Sequence, residues 1–316
     1  MTAIMLFRIS LSLSAAAIDD PEVLNPAALG VIEPGAKLER VWSEGEFTEG
    51  GAMAADGSVL FSDIGNRILK FDPLTSRTTV FREPSGRANG LIFLPDGRLV
   101  VAEGANSGGG RRVAIIDASG SVSTLAEGFE GKRFNSPNDL AVDAFGRVYV
   151  SDPRYVGEEP RELDDEAVYR IDADGLVRKL ATTAHKPNGL AISPDGKVLY
   201  VSDNGPKRKA LLAVPLSPAG DLNGTVRVLK DFGDGRGIDG MTVTTDGLIV
   251  AAAGAGNLSG VYIYDPKGIP VAFIATPEVP SNVEFGGLKR QTLYITAGKS
   301  LYRIETKLKG FQVGSD

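Results

Sequence analysis

The chain is built on a repeat, and a repeat of this length restricts the architecture more than any single motif does. Six segments share one layout: an oxygen-bearing residue usually followed by Gly, a short apolar run, a turn, and a second apolar run. The leading residues are Glu49, Asn89, Asn138, Asn188, Asp239 and Asn282, spaced 40, 49, 50, 51 and 43 residues apart. In the first five segments a turn glycine (Gly57, Gly97, Gly146, Gly196, Gly247) stands eight residues after the leading residue. Asp-Gly between apolar runs is a hairpin signal, because the tight turn needs positive φ. A unit of about 45 residues carrying four short strands has the size of a propeller blade. Runs such as Val198-Leu199-Tyr200-Val201 are apolar on both faces, as a sheet packed between two neighbouring sheets requires.

The repeat therefore predicts an all-β fold, a six-bladed β-propeller with four-stranded blades around a central channel. The segment from Lys37 to Phe47 precedes the first leading residue and should supply the outer strand that closes the ring onto the last blade. No linker or break in composition divides the chain, so residues 37–316 read as one domain. Residues 1–36 read as an N-terminal segment. Its weak apolar run from Ile9 to Ile18, preceded by Arg8 and ending near Ala15-Ala16-Ala17, fits either a signal peptide or a docked extension. The compartment is therefore open between cytoplasmic and periplasmic or secreted.

Composition narrows the chemistry. The chain has 39 Gly in 316 residues, no Cys and one His, which excludes disulfides, thiol catalysis, Cys-ligated zinc and multi-histidine metal sites. The net charge of −6 and the lack of a basic tract argue against a nucleic-acid partner. No run reaches the roughly 18 apolar residues of a membrane-spanning helix. A monomer acting on a small molecule is the expectation. Its chemistry must come from oxygen atoms.

The leading residues supply them. If each opens the innermost strand of its blade, all six gather at one mouth of the channel. The ring then holds two carboxylates and four carboxamides. Such a ring is costly to desolvate without a positive partner, and carboxylate and amide oxygens are what a hard divalent cation takes. Glu49 and Asp239 would balance a 2+ charge, with Asn138 and Asn188 completing the shell. The competing reading is that Asn-Gly and Asp-Gly are ordinary turn pairs. His185, three residues before Asn188, falls in the loop at the same mouth and is a candidate for binding substrate. There is no Gly-x-Ser-x-Gly elbow, which counts against a serine hydrolase. The stretch Ser107-Gly108-Gly109-Gly110 lacks the Lys-Ser/Thr of a phosphate loop and reads as an inter-strand loop.

The segments FTEGG, RANGLIF.PDGRL, NSPNDLAVD..GRVYVSDP, KPNGLAISPDG..LYVSDN, GIDGM and FGG....TLYITAGKSLYRI occur in order between Val41 and Ile304. Together they resemble the gluconolactonase / senescence-marker-protein (regucalcin) family, and bacterial gluconolactonases most of all. The resemblance implies a six-bladed propeller with one divalent metal in the channel and hydrolysis of sugar lactones. By it, the metal ligands fall on Glu49, Asn138, Asn188 and Asp239, and Asn89, Glu103 and Arg133 become candidates for binding sugar hydroxyls. Calcium is the first expectation for the cation, with magnesium, manganese, zinc and iron(II) also compatible with an oxygen-rich shell. Asp239, or otherwise Glu103, would take the proton of the attacking water. The family often carries Pro where this chain has Gly51, which suggests a looser loop after Glu49. An organophosphate or aryl-ester hydrolase on the same metal, and a propeller that binds without catalysis, are the alternatives.

Overall fold

A computed structural model describes residue 25 and residues 30–314; the candidate signal segment lies outside the described residues. The strands form six four-stranded antiparallel sheets and a two-stranded ribbon of Gly128–Phe129 with Lys132–Arg133. The innermost strands of the six blades are Thr48–Met53, Ala88–Phe93, Leu140–Val142, Pro187–Ile192, Met241–Val243 and Pro280–Gly286. Each packs on the innermost strand of the next blade, and the ring of contacts closes between the first and the sixth. The closure is made by strand Glu39–Trp42, which pairs with Ser300–Glu305 as the outer strand of blade 6, as the sequence predicts. No described helix is long and apolar enough to cross a membrane.

The core explains why the strands carry apolar residues on both faces. It is divided into six clusters, one between each pair of neighbouring blades, such as Leu190, Leu199 and Val201 of blade 4 against Val168 and Leu180 of blade 3. Val31 and Ile32 join the cluster between blades 5 and 6, and the Lys307 amide donates to the Val31 carbonyl at 2.8 Å. The chain before Lys37 thus contributes to the hydrophobic core.

The pairs Asp56-Gly57, Asp96-Gly97, Asp195-Gly196 and Asp246-Gly247 are the tight turns, their glycines all at positive φ. The glycines after the leading residues do something different. A Cβ on Gly189 would lie 2.2 Å from the Asp239 carbonyl oxygen of the next blade, and one on Gly90 would lie 2.6 Å from that of Asn138. The same close approach recurs at Gly50 against the Asn89 carbonyl, while at Gly240 the neighbour is the Asn282 side chain. These Asn-Gly and Asp-Gly pairs are therefore contact points between blades at the channel rim, and the turn-pair reading of them is corrected. In blades 1, 2, 4 and 6 the ladder also slips at this point, between Glu49 and Ala52, Ala88 and Leu91, Pro187 and Leu190, and Pro280 and Asn282. Such bulges re-aim side chains at strand ends.

At the far end of the channel the C-terminal segment crosses the opening. The Phe311 amide donates to Val243 at 3.0 Å and the Gln312 side-chain amide to the Met53 carbonyl at 3.2 Å. The C-terminal segment thus covers the end of the channel opposite the leading residues.

Gly189→Ala is expected to cost about 1–3 kcal/mol, because the new methyl must push the backbone of the next blade. The shift of the urea midpoint at unchanged slope measures it.

Candidate active site

The loops that deliver the leading residues are clamped from below by the carboxylates that end the second strands. Asp63 accepts from the Glu46 and Phe47 amides at 2.9 and 3.1 Å, Asp152 from Asn135 and Ser136 at 2.7 and 2.6 Å, and Asp203 from His185 and Lys186 at 3.0 Å each. Each pair of amides stands two and three residues before Glu49, Asn138 or Asn188. The Asp side chains therefore set the entry angle of those three residues.

At the rim, Asn188 donates its amide nitrogen to Asp239 Oδ1 at 2.7 Å, so the structure brings blades 4 and 5 together. Glu49 is buried and lies in the field of Asp239 across the channel. Burial first, then the charges of Asp239 and Asp139, hold the Glu49 carboxyl well above the ordinary range. Asp239 is also raised by burial, against the opposing pull of Arg236 and Asn188. Asn138 is half-buried on the same rim, its amide bonded to the Ser151 carbonyl at 2.9 Å and its own carbonyl accepting from Gly90 at 2.6 Å.

A buried and a half-buried carboxylate, both with raised proton affinity, are what a site for a divalent cation shows when the protein's own groups must do without its charge. The donor set is hard, all oxygen, and carries two negative charges, so these residues fit such a cation. Among the described residues no group of three or more His, Cys, Asp and Glu side chains is placed to hold a metal. The set therefore depends on its amide oxygens.

Of the substrate candidates, Asn89 is half-buried on the rim against Gly50, and His185 is 56% exposed with Nδ1 3.4 Å from Asp203. Arg133 is exposed on the small ribbon and donates to the Gly110 carbonyl at 2.6 Å. Glu103 is the correction. It is 1% exposed, and both of its oxygens are taken, by Arg82 at 2.9 Å and Arg112 at 2.7 Å. A carboxylate this buried and ion-paired to two guanidinium groups is a strut between blades, held away from the channel's polar rim.

Three further residues were not singled out from sequence. Arg236 donates to Asp239 Oδ2 at 2.5 Å and to the Gly254 carbonyl at 3.3 Å, placing a cation where the leading residues alone supply none. It stands three residues before Asp239, as His185 does before Asn188, and that parallel was the available signal. Asp139 and Glu284 line a cavity of ≈ 80 Å³ in the channel, together with Thr242 and Asn282. Burial pushes the Asp139 carboxyl up to about 7 and the Glu284 carboxyl up to about 8. Gly51 belongs to this chamber, since a Cβ there would lie 2.9 Å from that of Glu284. The glycine at position 51 thus makes room for the Glu284 side chain.

The site and fold define a six-bladed propeller with an oxygen-rich centre at one channel mouth. Residues 47–299 match the SMP-30/Gluconolactonase/LRE-like region, and the chain belongs to that family. It is 31% identical over 319 aligned residues to a gluconolactonase of Zymomonas mobilis, covering 90% of this chain and 86% of that one. A 6-deoxy-6-sulfogluconolactonase of Pseudomonas putida is 31% identical over 191 residues, 59% of this chain and 62% of that protein. Among solved structures, a gluconolactonase of Xanthomonas campestris superimposes with TM-score 0.80 at 29% identity, over 89% of this chain and 93% of that one. A calcium-binding regucalcin of Agrobacterium tumefaciens shares the fold at TM-score 0.71 and 21% identity, over 87% and 96% of the two chains.

The Glu284 shift has a sign that can be checked. Its folded-state affinity for the proton exceeds the unfolded one, so the folded chain binds more protons between about pH 4 and pH 8 and loses stability as pH rises through that window. Glu284→Gln keeps the bonds to Phe285 and Thr242 and removes the titration. In chelator, denaturant unfolding of the variant should show a flatter decline from pH 5 to pH 8 and a gain of about 1 kcal/mol or more at pH 8.

Proposed function

We propose that the protein is a divalent-cation-dependent lactonase that opens sugar lactones of the gluconolactone type to hydroxy acids. The observation that carries this reading is the Asn188–Asp239 pair facing buried Glu49 at the open mouth of a propeller whose relatives are named gluconolactonases.

Glu49, Asn138, Asn188 and Asp239 would hold the cation, for which calcium is the first choice. When bound, it supplies Lewis-acid polarisation of the lactone carbonyl and stabilises the negative charge that develops on its oxygen. Asp239 is the base of the chain's own. Arg236 on Oδ2 and Asn188 on Oδ1 fix the orientation of this carboxylate, and the guanidinium favours its ionised form. It accepts a proton from the water that adds to the carbonyl carbon. The ring C–O bond then breaks, and the ring oxygen leaves as a hydroxyl once it has taken up a proton. Asn89 on the rim and His185 in the loop beside it would bind the sugar hydroxyls. The closed far end of the channel keeps exchange with solvent to one side.

Acid release from glucono-1,5-lactone in a pH-stat, above the spontaneous rate, tests the reading. Activity should vanish on chelation and return with one divalent cation. Asp239→Asn keeps the shape and removes the base, and should lower kcat by about 10²–10⁴-fold. A chelated protein as active as the untreated one would sink the reading.

A further inference from the structure

Asp239 has a positive partner of the protein's own. Its carboxylate accepts from the Asn188 amide on Oδ1 at 2.7 Å and from Arg236 on Oδ2 at 2.5 Å. Basic side chains of the neighbouring loop segments are engaged elsewhere: His185 and Arg208 face Asp203, and Lys186 donates to the Arg154 carbonyl at 3.0 Å. Arg236 thus brings a guanidinium into the set of oxygen donors. A cation on Asp239 must share that carboxylate with it.

The backbone on either side fixes where this charge sits. Arg236 lies in the loop between Arg227–Asp231, the outer strand of blade 4, and Met241–Val243, the innermost strand of blade 5. The next residue, Gly237, is packed so closely that a Cβ there would lie 2.3 Å from Asn204 Oδ1. Ile238 is fully buried, and its carbonyl accepts from the Asn204 amide at 2.7 Å. The other end of the guanidinium donates at 3.3 Å to the Gly254 carbonyl, just after strand Ile249–Ala253. The Arg236 side chain is 27% exposed and that of Asp239 17%, so dissolved salt screens the pair little.

Two positive charges on one carboxylate repel each other. With Glu49 and Asp239 ionised, the pocket offers a divalent cation two negative charges, and Arg236 cancels one of them. In a partly buried site this repulsion is stronger than it would be in water. We propose that Arg236 is a built-in counter-charge that competes with the divalent cation for Asp239: it stabilises the cation-free site and holds the cation affinity below what the oxygen donors alone would give. The proposal rests on the reading of Asp239 as a ligand. It goes beyond orienting the base, because it makes occupancy of the site depend on a residue outside the donor set. Loss of the guanidinium therefore strengthens cation binding, whereas loss of a residue that merely supports the site would weaken it.

Calorimetric titration of the chelated full-length protein with calcium chloride tests it, at about pH 9 so that protons compete little for the carboxylates. Arg236→Met and Arg236→Gln remove the charge, and Arg236→Lys keeps it. The neutral variants should bind calcium about tenfold or more tighter than the unaltered protein, and Arg236→Lys should stay within about threefold of it. Without calcium the neutral variants should melt below the unaltered protein, and the same calcium concentration should raise their melting temperature by more. Equal or weaker binding by a folded neutral variant, or a gain in Arg236→Lys as large as in Arg236→Gln, overturns the proposal and leaves the cation site standing. Absence of calcium binding by the unaltered protein and by both neutral variants overturns the site and the proposal together.

Discussion

The rest of the structure depends on how closely the innermost strands of neighbouring blades approach at one end of the channel. At Gly90 and Gly189 the backbone of the next blade lies where a side chain would begin. In four of the six blades the convergence uses such a position without a Cβ. Because the glycine follows the leading residue, the geometry that closes the ring also fixes Glu49, Asn89, Asn188 and Asp239 beside it. Fold closure and site assembly are thus one event.

That convergence concentrates charge. Glu49, Asp239 and Asp139 share a buried space, and Glu284 lies in the chamber below. The protein meets the cost in two ways. Arg236 places a guanidinium on Asp239, and burial holds the proton affinities of Asp139 and Glu284 up at about 7 and about 8. A divalent cation at the rim would relieve the same repulsion more completely.

The carboxylates at the ends of the second strands show how position alone separates chemistry from support. Asp63, Asp152 and Asp203 collect backbone amides and hold the loops that present the leading residues. Glu103 occupies the matching place in blade 2 but is ion-paired to Arg82 and Arg112. In sequence all four follow an apolar run, and Glu103 reads as readily as a base. Only its neighbours in space decide against that.

The repeat made the blade number, the closing strand and the six leading residues legible, because a propeller repeats its local chemistry and each blade states it again. The family motifs pointed to lactone chemistry for the same reason. What stayed hidden were residues defined by contacts between blades. Arg236 matters because its side chain reaches Asp239. Glu284 titrates high because it is enclosed in the channel, beside Gly51 of another blade. Local patterning determines strands and turns, since those rest on neighbours along the chain. Proton affinity and ligand orientation are set by burial and by groups brought together from distant segments, and those exist only once the ring has closed.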